Sequence, residues 1–227
     1  MKNIELVIVD KKDLANLQVS NNERVLLCED IKHNGLTPSI EFVKHFLNNI
    51  KQKIHVLVRD DGSNYLMSTE QLNKNIEYVK NFEKENVHGF MFSILNEENC
   101  IDWKKIELLK SNAGSKKVIF GKAIDIVCDP IQDLIKLKSL GFSGVCLQGG
   151  TTPARNNIKK IKEIMSSAIF DEKFELIVSG SISPADISIL KKLGNISLHI
   201  GSSIRYNESW EEMINPEFVN GMVSKFK

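Results

Sequence analysis

The sequence predicts one α/β domain, a single (β/α)8 TIM barrel. Three observations carry that expectation. Short β-rich runs alternate with helical patterns almost from end to end. Several of those runs are continuously apolar instead of alternating, as parallel strands covered on both faces require. The 227 residues, 42% of them hydrophobic, suffice for one large core, and no Gly/Ser-rich, Pro-rich or like-charged stretch divides it. The count is about eight β/α units, the number that closes a barrel of ordinary size. An open doubly wound sheet would place a glycine-rich turn after its first strand. Here that strand runs into "DKKDLAN", which has no glycine.

The elements follow in order. "IELVIV" (4–9) is the first strand, and the short "KKDLANLQ" is the first helix. "RVLLC" (24–28) is the second strand. Thr37-Pro38 then reads as an N-cap followed by proline at the first helical position. Ile40, Val43, Leu47 and Ile50 share one face of that helix. "IHVLVR" (54–59) precedes Ser68 and Gln71, which have the spacing of a capping box. Leu72, Ile76, Val79 and Phe82 form the apolar stripe behind that cap. "GFMFSIL" (89–95) and "KVIFG" (117–121) are the fourth and fifth strands. Asp129-Pro130 starts the next helix, and Gly141 ends it as a C′ glycine. "GVCLQ" (144–148) leads to "NNIKKIKEI", whose lysines read as the wet face of a helix. "ELIVSG" (175–180) precedes Ser183-Pro184, a third helix start of the same type, with Ile187, Leu190 and Leu193 on one face and Gly194 as the stop. "ISLHIG" (196–201) is the eighth strand. The tail "SWEEMINPEFVNGMVSKFK" reads as a C-terminal helix or extension broken by Pro216 and Gly221.

Charge excludes some classes of partner. Lys+Arg 30 against Asp+Glu 29, interleaved along the chain, makes no electrostatic case for nucleic acid or an anionic membrane. No apolar run is long enough for a signal peptide or a membrane span. Four cysteines without a CxxC pair read as reduced thiols of a cytoplasmic protein.

A barrel keeps its chemistry at the C-terminal strand ends. Those ends carry Asp10, Cys28, Glu29, Arg59, Asp60, Asp61, Ser93, Lys122, Asp125, Gln148, Ser179, His199 and Ser202. Cys28 reads either as a buried small hydrophobe or as a thiolate for a soft metal. Cys146 lies mid-strand and reads as core, while Cys100 and Cys128 have no partner nearby in sequence. His33 reads as a solvated loop residue, and His55 and His88 as structural groups at the opposite face. His199, near the end of the last strand, is open to acid/base work or to a core role. Arg59 is either an anion-binding fork or the centre of an ion-pair cluster with Asp60-Asp61. Lys122 and Asp125 form a polar pair, where Schiff-base chemistry would need a lowered lysine pKa. Gly180, Ser181, Gly201, Ser202 and Ser203 have the character of a phosphate cradle, or of sharp turns alone.

Taken jointly, these segments resemble the CutC family, the copper homeostasis proteins. "RVLLC" followed by "NGLTPS" is similar to the family's "RVELC" and "GGLTPS", and "VIFGKAID" to its "VTFHRAFD". Arg59 stands where the family has "IRPRGGDF", "VSGSIS" where it has a glycine-rich turn, and "LGNISLHIGSS" resembles its last strand. The resemblance spans roughly residues 4–205 and implies a TIM barrel, a cytoplasmic location and a role in copper tolerance. Cys28, Arg59, Asp125 and His199 keep the family's residue types, with Lys122 a partial match. Leu26 replaces a strand glutamate, Asp60-Asp61 a Pro-Arg pair and Gly121-Lys122 a His-Arg pair.

Three functions are therefore carried forward. The first is copper handling, with Cys28 as thiolate for copper(I), the ion being implied by the resemblance alone. The second is a lyase- or isomerase-type enzyme for a small phosphorylated or carboxylated metabolite. It would use Arg59, Lys122, Asp125 and His199 for catalysis and Gly180, Ser181, Gly201 and Ser202 for the anion. The third is a diverged barrel that acts through binding or assembly, with a homo-oligomer left open.

Overall fold

The computed structural model describes residues 3–167 and 169–226. Eight parallel strands close on themselves: β1 (Ile4–Ile8), β2 (Arg24–Leu27), β3 (Lys53–Leu57), β4 (Gly89–Phe92), β5 (Lys117–Phe120), β6 (Gly144–Leu147), β7 (Glu175–Val178) and β8 (Ser197–Ile200). Each pairs with the next, and β8 returns to β1 with His199 opposite Glu5. The intervening helices are α1 (Leu14–Gln18), α2 (Ile40–Leu47), α3 (Thr69–Glu83), α4 (Trp103–Ser111), α5 (Pro130–Ser139), α6 (Ile158–Ser166), α7 (Ile187–Lys191) and α8 (Pro216–Phe226). The expected TIM barrel is the observed fold.

Strand alternation divides the core in two. Leu27, Phe90, Phe120, Val145 and Leu198 face outward and pack beneath the helices with Phe46, Ile106 and Leu137. Leu26, Leu57, Met91, Ile119, Cys146 and Ile177 face inward and form an apolar layer across the barrel. The interior is thus filled by side chains, as this fold demands.

The caps show where local reading holds and where tertiary contacts override it. Ser68 and Gln71 make the full reciprocal capping box. Asp129 caps α5 by accepting from Gln132 N–H, with Pro130 at the first helical position. Gly141 and Gly194 take positive φ of 77° and 90° after their helices.

Thr37 does not cap α2. Ser39 does, accepting from Phe42 N–H, so Pro38 lies outside the helix. The Thr37 hydroxyl is held by the next strand's loop: it donates to Arg59 O at 3.0 Å and accepts from Arg59 N–H at 2.8 Å. Ser183-Pro184 opens a turn, and α7 begins only at Ile187. There the Asp186 carboxylate accepts from the Ser183 N–H and hydroxyl and from Arg155.

Pro216 starts α8 and does not break it. Asn215 Oδ1 accepts from Glu217 and Phe218 N–H ahead of it, a placement in which proline's missing donor costs nothing. The helix runs through Gly221, because burial of Val219, Met222, Val223 and Phe226 outweighs a glycine penalty of about 1 kcal/mol. The tail is the eighth helix of the barrel.

Candidate functional site

Below the apolar layer the barrel holds a polar one. Alternation turns Glu5, Arg24, His55, Glu175, Ser197 and His199 inward. Glu5 is fully buried, with Arg24 Nε at 2.8 Å and His55 Nδ1 at 3.0 Å from one oxygen and His199 Nδ1 at 2.8 Å from the other. Arg24 Nη1 donates to Glu175 at 2.8 Å, and Ser197 Oγ donates to the same carboxylate. Burial alone would raise the Glu5 carboxyl. The Arg24 charge, then hydrogen bonds from His199 and His55, reverse this and hold it well below the usual range.

His199 therefore belongs to this inner network, its side chain 15% exposed. Of the two readings left open for His199, acid/base group or core residue, its contact is with the interior: its Nδ1 lies against Glu5, its neighbour across the β1–β8 pairing. His55, expected to be structural, is part of the same network.

At the mouth, Arg59 folds its own loop. Its Nε donates to Asp61 O at 2.9 Å, and Nη2 donates to Gly62 O at 3.0 Å and Asn64 O at 3.2 Å. The guanidinium stacks on Tyr65, 4.8 Å from the ring centroid. The expected ion-pair cluster with Asp60-Asp61 is replaced by separate contacts: Asp60 pairs with Lys74, and the Asp61 side chain accepts from Ser63 N–H.

Asp125 is equally engaged. Its carboxylate accepts from Gln148, Gly149 and Gly150 N–H at 2.8 to 3.1 Å. Burial raises its pKa against the pull of these amides and of Lys122. It organises the loop after β6, and the exposed Lys122 lies close enough for its charge to act on it.

The two glycine-serine loops are packed. A Cβ at Gly180 would lie 2.5 Å from Gln148 Oε1, and one at Gly201 would lie 2.6 Å from the Trp210 ring. Ser181 has φ 51°, and the Ser203 hydroxyl donates to Ile182 O. Ser202 opens a short 3-10 turn whose oxygen accepts from Arg205 N–H. On its Cβ side, Gly201 is therefore packed against the Trp210 indole.

Cys28 lies buried below Gly35, its thiol pushed up to about 12 by burial. Cys146, in the apolar layer, is pushed up to about 12 in the same way. Both behave as small hydrophobes. Cys100 and Cys128, without partners in sequence, are exposed. Among the described residues, no group of three or more His, Cys, Asp or Glu side chains is placed to hold a metal ion. Nor is any described helix long and apolar enough to cross a membrane.

Sequence reasoning missed the fully buried pair Asp13–Arg205, with Nη2 at 2.7 Å and Nη1 at 3.0 Å from the two carboxylate oxygens. Arg205 also reaches Val7 O and Glu212 O, and lies 5.3 Å from the Trp210 ring centroid. It missed Glu5 too, although a carboxylate inside the apolar run "IELVI" was a visible signal.

The model of the CutC family matches residues 2–204. The chain belongs to the CutC family. A CutC family protein of Treponema denticola is 26% identical over 223 residues, covering 97% of this chain and 90% of that relative. The crystal structure of a putative copper homeostasis protein CutC from Streptococcus agalactiae superposes with a TM-score of 0.80 at 23% identity, over 88% of this chain and 98% of that one. Orotidine 5'-monophosphate decarboxylase of Methanocaldococcus jannaschii matches at TM-score 0.66 and 12% identity, over 100% and 99% of the two chains. That likeness is one of fold.

Proposed function

We propose that this CutC family member serves copper homeostasis by holding Cu(I) as cargo, and that its barrel mouth does not turn over a metabolite. Family membership and the name of the Streptococcus relative support the first part. The observation that carries the second is the engagement of Arg59 and Asp125: the cation is bound to carbonyls of its own loop and the carboxylate to three backbone amides. Arg59 keeps its charge but commits Nε and Nη2 to its own loop, and both Asp125 oxygens are occupied by amides, which supports a structural task for the two side chains.

In this reading Cys28 is not the copper ligand, which its burial supports. Its thiol is enclosed, its deprotonation is opposed by burial, and it belongs to no group of three or more His, Cys, Asp or Glu placed to hold a metal among the described residues. The enzyme alternative draws on Lys122 and the loops after β7 and β8. Trp210 over Gly201 and Gln148 against Gly180 weigh against it.

A strain lacking the gene tests the reading. It should grow worse than its parent on elevated copper, and the wild-type gene should restore growth while leaving zinc tolerance unchanged. Equal copper tolerance of deletion and parent overturns the proposal. Saturable binding of inorganic phosphate at the mouth, read by amide shifts of Gly180 and Gly201, would favour the enzyme.

A further inference from the structure

The flank formed by α7 and α8 carries opposite charges at its two ends. α8 follows the rim loop after β8 and runs back toward the other end of the barrel. At the rim end stand Glu208, Glu211 and Glu212 of that loop and Glu217 of the first helical turn, all exposed. At the far end stand Lys191 and Lys192, where α7 ends, and Lys225 in the last turn of α8, also exposed. Lys191 Nζ donates to Lys225 O at 3.0 Å, which ties the two helix ends together. Among the described residues, none of these carboxylates or ammonium groups is in an ion pair.

Between the charged ends the flank is open and apolar. A groove of about 650 Å³ runs between the helices, lined by Pro184, Ile187 and Ser188 together with the three lysines. Phe218, Gly221 and Lys225 share one stripe of α8. Asn220 bonds to Val19 O and Asn21 N–H, so its side of the helix faces α1 and the Phe218 stripe turns toward α7. A Cβ at Gly221 would meet nothing within 4 Å, which leaves the groove open there. Phe218 is 49% exposed, and Met213, ahead of the helix, is 44% exposed. An apolar stretch rimmed by charged groups is the form an interaction surface takes.

We propose that two copies of this chain associate through this flank, packed antiparallel about a two-fold axis. The occupant is a second copy because the surface complements itself, with four glutamates at one end, three lysines at the other and apolar groups between. A two-fold axis across the flank brings the rim loop of each copy to the lysine end of the other, and every contact is made twice. Parallel packing would set glutamates against glutamates, a like-charge juxtaposition that disfavours it. The association is independent of how copper is held.

Sedimentation velocity of the full-length chain over a wide range of concentration tests this. Wild type should be a dimer that dissociates on dilution, and more readily at high salt, because exposed charges are screened. Lys191→Glu with Lys192→Glu, and separately Glu211→Lys with Glu212→Lys, should each weaken the dimer by roughly 100-fold or more, the scale of like-charge juxtaposition across an interface. An equal mixture of the two double variants should restore it, since each contact then joins opposite charges again. Phe218→Ser should weaken the dimer and leave its salt dependence unchanged. Circular dichroism checks that each variant is folded. A wild type that stays monomeric at every concentration overturns the proposal and leaves the groove to an acidic partner of another kind. Double variants that dimerise as wild type does overturn it by placing the interface elsewhere. A mixture that remains monomeric overturns it too, since the losses would then not come from paired charges.

Discussion

His199 Nδ1 lies 2.8 Å from Glu5 Oε1, joining the last strand of the barrel to the first through a fully buried carboxylate. The same carboxylate receives His55 from β3 and Arg24 from β2. Arg24 continues to Glu175 on β7, which Ser197 on β8 also contacts. Strands on opposite sides of the seam therefore share one ionic network. An isolated buried carboxylate is costly, and it persists only when partners satisfy it. Glu5 is consequently a closure element, and its histidines are bound to that task.

Replacing Glu5 by Gln should destabilise the fold by about 3–5 kcal/mol, because Arg24 is left with an incomplete counter-charge in the interior. The pH profile supplies a second readout. Glu5 is held below its ordinary value of 4.5 in the folded state, so the unfolded chain binds its proton first. Its contribution is complete above pH 4.5 and is lost as pH falls toward the folded value. Thermal melts from pH 7 to pH 3 should show a steeper acid decline in wild type than in Glu5→Gln. Parallel declines would remove Glu5 from this role.

The Asp13–Arg205 pair makes a comparable prediction at the rim. Arg205 is 2% exposed and ties the segment after β1 to the chain leading into α8. Burial raises the Asp13 carboxyl despite the guanidinium beside it, so removing the arginine leaves a charge with one amide donor, Ile214 N–H. Arg205→Met should cost about 3–5 kcal/mol in denaturant melts, and Asp13→Leu with Arg205→Met should regain much of it. A double variant no more stable than the single would show that the pair's geometry, and not the stranded charge, holds the seam. Trp210 fluorescence should shift red in the single variant as its stacking partner is lost.

The strands and most helices were readable because their causes are local: apolar runs, caps and C′ glycines. Thr37 and Pro216 mark the limit of that reading. A threonine before proline is a sound cap candidate, but the Arg59 backbone holds its hydroxyl, and Ser39 caps the helix in its place. Proline after a polar run looks like a break, and only the Asn215 cap shows it to be a start. Site residues were harder for a different reason. Position at a strand end was visible for Arg59 and Asp125, whereas the direction of their hydrogen bonds depends on how the loop folds: Arg59 turns onto carbonyls of its own loop, and Asp125 reaches amides 23 to 25 residues on.

Asp125→Asn should loosen the loop after β6 without unfolding the barrel. The amide keeps one acceptor oxygen but sets an NH2 group among three backbone donors. Leaving one or two of them unsatisfied should cost about 1–3 kcal/mol. Hydrogen exchange should accelerate at Gln148, Gly149 and Gly150 and stay unchanged at the Ser63 amide, which Asp61 holds. Cu(I) affinity should be unaffected. Unchanged exchange at those three amides would show that the loop is held by other contacts.

The four cysteines should divide sharply in reactivity. Cys100 and Cys128 are exposed, while Cys28 and Cys146 are buried with thiols pushed up to about 12. Since the thiolate is the reacting form, an aromatic disulfide reagent should modify two thiols of the native chain promptly and the other two only at the rate of opening. In denaturant all four should react together. Prompt reaction of a third thiol in the native protein would place Cys28 or Cys146 within reach of solvent, and would reopen β2 as a place where a soft metal could enter.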